Sequence, residues 1–292
     1  MTPGQPCRFS TPAKINLFLR IQRKRADGYH DLLLDYIPVS LFDQIELQPC
    51  NSNSLELTGN LAGLSVDDNL IIKAIRLLEW EIGQPISLRI HLQKNIPTGA
   101  GLGGGSGNAA GTLVVLNRLL HLSLSDHRLK QMAIQLGADV PFFISPQPSL
   151  ACGIGEQLTP LPDFDPLPLL LVYPGFPIST AEAYRICLIS GENAPLHQYT
   201  MDEICRLKPE MNDFWGPLTI HYPALEKCRM TLMENKASAS GLSGSGSTIF
   251  GVFETREIRD RAAASLKNHS SWQIFPCETL ASYRYPLDKQ SA

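Results

Sequence analysis

The sequence predicts an α+β protein of two α+β domains, over residues 1–157 and 158–292. Three observations carry this reading. Alternating apolar positions, the mark of half-buried strands, interleave with helical spacings on both sides of the middle of the chain. Between the two halves Pro160, Pro162, Pro166 and Pro168 crowd together, and their fixed φ angles and missing N–H donors oppose regular structure. At 292 residues the chain is long enough for two moderate cores.

The elements follow in order. Strands are expected at 7–11 and 15–22. Ile15, Leu17, Leu19 and Ile21 mark a buried face, so period two puts Lys14 and Asn16 together on the other face, as solvated surface or as part of a site. Arg25-Ala26-Asp27-Gly28-Tyr29-His30 is a polar loop with an Asp-Gly turn. Strands 36–48, 54–58 and 86–93 interleave with helices 69–82, 107–121 and 126–136. The third of these helices opens on a Ser125-Asp126 cap. Beyond the prolines come strand 169–173, helices 180–190 and 223–234, strand 247–253, helix 256–267 and strand 272–277.

Residues 97–107 read Pro-Thr-Gly-Ala-Gly-Leu-Gly-Gly-Gly-Ser-Gly and lead into the apolar helical spacing Ala109, Ala110, Leu113, Val114, Leu116, Leu120. Glycines let backbone N–H groups converge on a ligand. A helix N-terminus behind them adds free donors and a favourable dipole, so the stretch reads as a phosphate-binding loop. Gly99, Gly101 and Gly104 satisfy the dinucleotide pattern G-x-G-x-x-G, but that pattern needs a strand running into it and an acid ending the next strand. Here Pro97 stands in the way, and Asp126 belongs to a helix cap. The P-loop pattern lacks its Lys. A purely structural turn leaves the entropic cost of so many glycines unexplained.

Asp139 is a lone acid in the apolar run Gly137-Ala138-Asp139-Val140-Pro141-Phe142-Phe143. It is either a helix cap or turn residue, or a carboxylate that needs a partner, because burying one unpaired is costly. Lys14 can be that partner, each shifting the other's pKa.

Composition excludes several classes. The net charge of −3 demands no nucleic-acid face. Cys7, Cys50, Cys152, Cys187, Cys205, Cys228 and Cys277 are scattered without C-x-x-C spacing, which argues against zinc or a disulfide framework and fits a reducing cytosol. No apolar run reaches transmembrane length, and no basic-then-apolar leader is visible. The expectation is a cytoplasmic protein with no membrane or nucleic-acid partner.

The loop Pro97-Thr98-Gly99-Ala100-Gly101-Leu102-Gly103-Gly104-Gly105-Ser106 resembles the ATP-binding motif of the GHMP small-molecule kinases. Pro12-Ala13-Lys14-Ile15-Asn16-Leu17, Arg25 to His30, Asp68-Asn69-Leu70, Gly137 to Phe142 and Gly244-Ser245-Gly246 stand around it in the order and spacing of one branch of that family. The Arg25–His30 and Gly137–Pro141 stretches are the specific part. That branch acts on a cytidine-diphosphate sugar alcohol in the non-mevalonate route to isoprenoids.

The resemblance implies an N-terminal domain like ribosomal protein S5, a ferredoxin-like C-terminal domain and an active site in the cleft between them. It implies ATP with Mg²⁺, and a monomer or weak homodimer. By the same resemblance Lys14 and Asp139 are catalytic, and Asn16, Tyr29, His30, Thr180 and Tyr184 bind the substrate. ATP falls to Asn69, Lys94, Pro97, Thr98, Gly99, Ala100, Gly101, Leu102, Gly103, Gly104, Gly105, Ser106 and Gly107, and to Gly244, Ser245 and Gly246 in a second glycine loop closing on the first. No protein ligand is assigned to the metal. Tyr184 has core packing as its alternative, Asn69 a helix cap and Lys94 ordinary surface.

Gly107 stands where the family usually carries Ser. Residues 185–222 align with nothing, apart from Pro209-Glu210-Met211-Asn212-Asp213-Phe214, which resembles a family segment ending in Asn-Asp-Phe. The rival readings are a catalytically silent nucleotide-binding protein and a GHMP kinase with another small alcohol acceptor.

Overall fold

The computed structural model describes residues 6–50, 55–59, 66–161, 164–187, 209–267, 269, 271–286 and 288–289. Its frame is one long strand, β3 (His30–Pro49), 20 residues from end to end. It pairs antiparallel with β1 (Cys7–Ile15), β2 (Leu19–Lys24), β5 (Leu88–Gln93) and β6 (Ser149–Cys152). Typical strands run about 5–6 residues; this one spans several partners, so the elements that carry the site share a single backbone. β4 (Leu55–Gly59) runs parallel to β5, and β7 (Gln157–Pro160) pairs with β6. The β1–β3 register shifts between Pro12 and Ala13. A bulge of this kind re-aims the side chains beyond it, and the next but one is Lys14.

Helix α1 (Leu70–Ile82) is capped by Asn69, whose side chain accepts from the Ile71 N–H, and ends at Gly83 in the left-handed region. Helix α2 (Gly104–Leu119) starts inside the glycine loop, three residues earlier than its apolar spacing predicts. It packs on β1 so closely that a Cβ on Gly111 would lie 2.6 Å from Thr11 Cγ2 and 2.9 Å from Tyr285 Cε1. Helix α3 (Asp126–Ala133) is followed by a 3₁₀ turn, Val140–Ile144.

The second sheet has the order β11-β8-β10-β9, all antiparallel. It consists of β8 (Pro168–Tyr173), β9 (Ala239–Leu242), β10 (Ile249–Val252) and β11 (Gln273–Glu278). Helices α4 (Thr180–Ile186), α5 (Trp215–His221) and α6 (Ala224–Glu234) lie between β8 and β9 in the chain, and α7 (Arg256–Leu266) between β10 and β11. This is the ferredoxin-like arrangement. The apolar run in β8 follows from burial on both faces. Leu170, Val172 and Ile249 belong to the large core with Leu225, Leu232 and Leu266 of the helices. Leu169, Leu171, Phe250 and Val252 share a second core with Ala13, Ile15, Ile37 and Val39 of the first sheet. That second core holds the two sheets together.

The structure departs from the expectations at identifiable points. β6, β7 and β9 are extra strands of four residues each, too short to show an alternation. Helix α4 ends at Ile186, and the rest of the helix expected at 180–190 lies outside the described residues. The C-terminal end returns to the first sheet: β12 (Asp288–Lys289) pairs with β1, and Tyr283 Oη donates to Ser10 O at 2.9 Å.

Gly111→Ala is expected to lower stability by about 1–3 kcal/mol, the usual cost of overpacking, whereas Gly216→Ala, whose Cβ would meet nothing within 4 Å, leaves it unchanged or slightly raised. Thermal unfolding of the two variants checks this, and an unaltered Tm for Gly111→Ala contradicts the packing described.

Candidate active site

Two glycine loops dock against each other. The first, 97–103, links β5 to α2, and the second, 243–247, links β9 to β10. Gly99, Gly101 and Gly103 have φ of 65, 75 and 67°, values that L side chains resist. A Cβ on Gly101 would collide with Ser243 O, and one on Gly99 would sit 2.8 Å from Pro177 Cβ. The gap is closed by hydrogen bonds: Ser243 Oγ donates to Gly101 O at 3.0 Å, Thr248 N to Ala100 O at 3.2 Å, and Ile178 N to Gly99 O at 3.0 Å.

Between the loops and the first sheet lies a cleft of about 390 Å³, lined by Lys14, Asn16, Tyr36, Asp139, Thr180, Tyr184, Phe214 and both glycine stretches. The N-terminus of α2 opens into it at Gly104 and Gly105. Its unsatisfied N–H groups and dipole suit a phosphate chain.

Lys14 is at the floor, only 4% exposed. Its main-chain N–H donates to Leu102 O at 3.0 Å, tying β1 to the first loop. Its Nζ donates to Asn16 Oδ1 at 2.7 Å and lies 3.7 Å from Asp139 Oδ2. Burial pulls the ammonium below its ordinary pKa, with Asp139 and then Asp35 working against that pull. The surface alternative for Lys14 and Asn16 is thereby set aside, because both are buried and line the cleft.

Asp139 precedes the 3₁₀ turn but makes no side-chain cap. Its Oδ1 accepts from Tyr36 Oη at 2.8 Å instead. Asp35 lies below. Its Oδ1 accepts from Leu17 N at 2.8 Å and Phe18 N at 3.1 Å, and its backbone carbonyl accepts from Asn16 Nδ2. Burial pushes the Asp35 carboxyl up to about 7, opposed by those main-chain donors and by Lys14. Its Oδ2 has no hydrogen-bond partner among the described residues.

The other expected residues divide. Thr180 lines the cleft, and its Oγ1 lies 3.2 Å from Ser245 Oγ across the second loop. Tyr184 is both packed and displayed: it stacks on His30 with centroids 4.4 Å apart and 6° between planes, and meets Phe214 edge-on at 5.0 Å. Burial lowers the His30 pKa, assisted by Lys24. Tyr29 is 58% exposed, and neither it nor His30 lines the cleft.

Asn69 lines the cleft while capping α1. Lys94 is not ordinary surface. Its Nζ donates to Asp43 Oδ2 at 2.7 Å and Ile96 O at 2.6 Å, bracing the start of the loop, and burial pulls its pKa down against Asp43. Gly107, expected among the ATP-binding residues, lies off the cleft. It is within α2, where a Cβ would meet Pro12 O at 3.0 Å and the Phe143 ring at 3.4 Å. The absent hydroxyl therefore belongs to helix packing. Gly246 also lies off the lining, while Gly244 and Ser245 form part of it.

Sequence reasoning missed Asp35, Tyr36, Asn108 and Asn212 as site residues and left Phe214 without a role. Asn212 Nδ2 donates to Leu242 O and Gly244 O, both at 2.9 Å, holding the second loop from below. Asp213 accepts from Arg20 Nη1 at 2.6 Å and Ile21 N at 2.7 Å, anchoring the same segment to β2. Buried Asn108 accepts from Thr11 Oγ1 at 2.6 Å. The signal for Asp35 was present: an acid inside the apolar run Leu32 to Val39, the same feature that singled out Asp139.

The family model for the GHMP kinases N terminal domain matches residues 69–147, and that for the GHMP kinases C terminal domain matches residues 200–271. A protein of Pelobacter propionicus named 4-diphosphocytidyl-2-C-methyl-D-erythritol kinase is 38% identical over 275 residues, covering 92% of this chain and 97% of its own. A crystal structure of 4-(cytidine 5'-diphospho)-2C-methyl-D-erythritol kinase superposes with a TM-score of 0.79 at 33% identity, covering 93% of this chain and 98% of its own. The homoserine kinase of Cytophaga hutchinsonii shares the fold, with a TM-score of 0.71 at 16% identity, covering 98% of each chain.

Asp35 yields a prediction. Its folded-state pKa is raised, so the folded protein holds a proton that the unfolded chain releases, and this contribution to stability is lost as pH rises through about 7. Asp35→Asn keeps an oxygen for Leu17 and Phe18 without the charge. Its Tm is expected to exceed that of the parent at pH 8 by about 2–4 °C per kcal/mol recovered, and the gain is expected to shrink by pH 5. A gain that grows toward low pH contradicts this.

Proposed function

The chain belongs to the family of 4-diphosphocytidyl-2-C-methyl-D-erythritol kinases, within the GHMP kinases, and on that premise we infer that it transfers the γ-phosphoryl group of ATP to the 2-hydroxyl of 4-diphosphocytidyl-2-C-methyl-D-erythritol. The observation that carries the reading is the Lys14–Asp139 pair, 3.7 Å apart, at the mouth of the docked glycine loops. A silent binder has no use for a buried ammonium facing a carboxylate.

Phosphoryl transfer to an alcohol asks for a phosphate cradle, charge neutralisation and an aligned hydroxyl. The loop from Pro97 to Ser106 and the first turn of α2 cradle the phosphates, with Ser245 of the second loop on the opposite wall. The fit is physical: Gly99, Gly101 and Gly103 keep the loop free of side chains, and Gly104 leaves the helix end open. Mg²⁺ neutralises phosphate charge when bound. Among the described residues no group of three or more His, Cys, Asp or Glu could hold a metal ion, and no protein ligand is assigned to it.

Asp139 accepts the proton of the acceptor hydroxyl through the oxygen facing Lys14. Lys14, beside that oxygen, polarises the hydroxyl. Asn16, fixed by Lys14 and the Asp35 carbonyl, binds the acceptor. Tyr184 and Phe214, which line the cleft, supply the flat apolar surface that a cytosine needs, worth about 1–3 kcal/mol per stacked base, with His30 stacked on Tyr184. Tyr29 acts at the rim.

We take residues 1–157 and 158–292 as the two domains, the protein as a monomer or weak homodimer, and the cytoplasm as its compartment. The scattered thiols of the sequence support the last. Among the described residues no helix is long and apolar enough to cross a membrane.

ADP release with Mg-ATP tests the reading when 4-diphosphocytidyl-2-C-methyl-D-erythritol, mevalonate, homoserine and galactose are offered separately. Turnover is expected with the cytidyl acceptor alone, and Asp139→Asn is expected to lower kcat by about 10²–10⁴-fold. Turnover with another acceptor overturns the role of the aromatic stack. ATP binding without turnover overturns the kinase.

A further inference from the structure

Tyr36 is built into the reacting pair from beneath. Its ring is buried in the core, 4.9 Å from the Phe142 ring, and its backbone is paired with Ser149 in the sheet. A buried phenol needs a hydrogen-bond partner, and this one donates to Asp139 Oδ1 at 2.8 Å. The other carboxylate oxygen, Oδ2, is the one nearest Lys14, at 3.7 Å. Lys14 Nζ also lies 5.5 Å from the centroid of the Tyr36 ring, within reach of a cation–π contact. Gly155, with φ of 115°, leaves the room: a Cβ there would stand 2.5 Å from the Tyr36 hydroxyl oxygen.

We propose that Tyr36 is a positioning residue for phosphoryl transfer, its hydroxyl occupying one oxygen of Asp139 so that only the other is presented to Lys14 and the acceptor. The proposal rests on the reading of Asp139 as the base. In the step, the acceptor hydroxyl gives its proton to Asp139 Oδ2. The acceptor oxygen bonds to the γ-phosphorus, and the bond from that phosphorus to the bridging oxygen breaks, leaving ADP. Tyr36 keeps its own proton throughout. Burial first, and then the Asp139 charge, raise the phenol well above its ordinary pKa, so it is a donor at every working pH. The groups facing this pair are Lys14 on β1, Asp35 on β3, Glu156 in the β6–β7 turn and Tyr184 on α4.

Tyr36→Phe keeps the ring and removes the hydroxyl. With the full chain, Mg-ATP and 4-diphosphocytidyl-2-C-methyl-D-erythritol, kcat is expected to fall about 10-fold or more, the rate equivalent of a charge-assisted hydrogen bond. The KM for ATP is expected to stay within about twofold, since uniform binding is untouched. An unchanged kcat overturns the proposal. So does a loss of kcat with both KM values raised, which is the behaviour of damaged packing.

A second measurement needs no acceptor. In protein labelled with ¹³Cζ-tyrosine, the Tyr36 resonance, assigned by its loss in Tyr36→Phe, is expected to shift in Asp139→Asn. An unmoved resonance removes the hydrogen bond, and the proposal with it, whichever alcohol the enzyme phosphorylates. Failure of the wild-type chain to use the cytidyl acceptor bears on the reading beneath the proposal and leaves this spectroscopic test standing.

Discussion

An ammonium sealed under two glycine loops is the constraint on which the rest of this structure depends. Lys14 is almost wholly buried, and burial alone favours its neutral form. Its charge is supported by the groups gathered on it: the Asn16 amide oxygen, the Asp139 carboxylate and, farther off, Asp35. Each of these is held from elsewhere. The Asp35 carbonyl fixes Asn16, and the Asp35 carboxylate fixes the bend at Leu17 and Phe18. The glycines are tight for the same reason. Side chains at Gly103 and Gly244 would press on Lys14 itself, at 3.1 Å from Cγ and 3.2 Å from Nζ.

The second sheet makes this arrangement possible. Both faces of β8 are buried, one under its own helices and one on β1 and β3, which brings the second glycine loop over the first. The segment Asn212-Asp213-Phe214 then works as a three-way tie. Asn212 holds the Gly244 loop, Asp213 grips β2, and Phe214 meets Tyr184 at the far wall of the cleft. A cleft between two sheets is free to open where its walls share few contacts; here the walls share an apolar core and buried hydrogen bonds. Such fixed geometry is what a reaction depending on position and electrostatics requires.

The sequence was most legible where one residue type has one physical use. Clustered glycines ahead of a helical pattern meant a loop running into a helix N-terminus, and such a loop leads into α2 at Gly104. Lys14 and Asp139 could be paired because a lone acid in an apolar run demands a cation. Legibility failed where several uses compete. Lys94 reads from the sequence as a contact for ATP, with surface as its alternative, and its pairing with Asp43 is missed because that partner is 51 positions away, a distance no local pattern reports. Gly107 looked like a lost ligand because its packing against Pro12 depends on the tertiary position of α2. Tyr36 was hidden because an apolar strand position is where an aromatic belongs by default, and only the fold reveals that its hydroxyl ends on Asp139. The strands of β6, β7 and β9, four residues each, are shorter than any pattern that could declare them.

In the proposed reaction one cleft presents the acceptor hydroxyl to Asp139 while the glycine loops hold the phosphates. A crystal structure with a non-hydrolysable ATP analogue and 4-diphosphocytidyl-2-C-methyl-D-erythritol puts this to the test. The triphosphate is expected along residues 97–106 at the start of α2, and the 2-hydroxyl within hydrogen-bond reach of Asp139, about 2.6–3.2 Å. A ternary complex with that hydroxyl out of reach of Asp139, or with the phosphates away from the glycine loops, would contradict this.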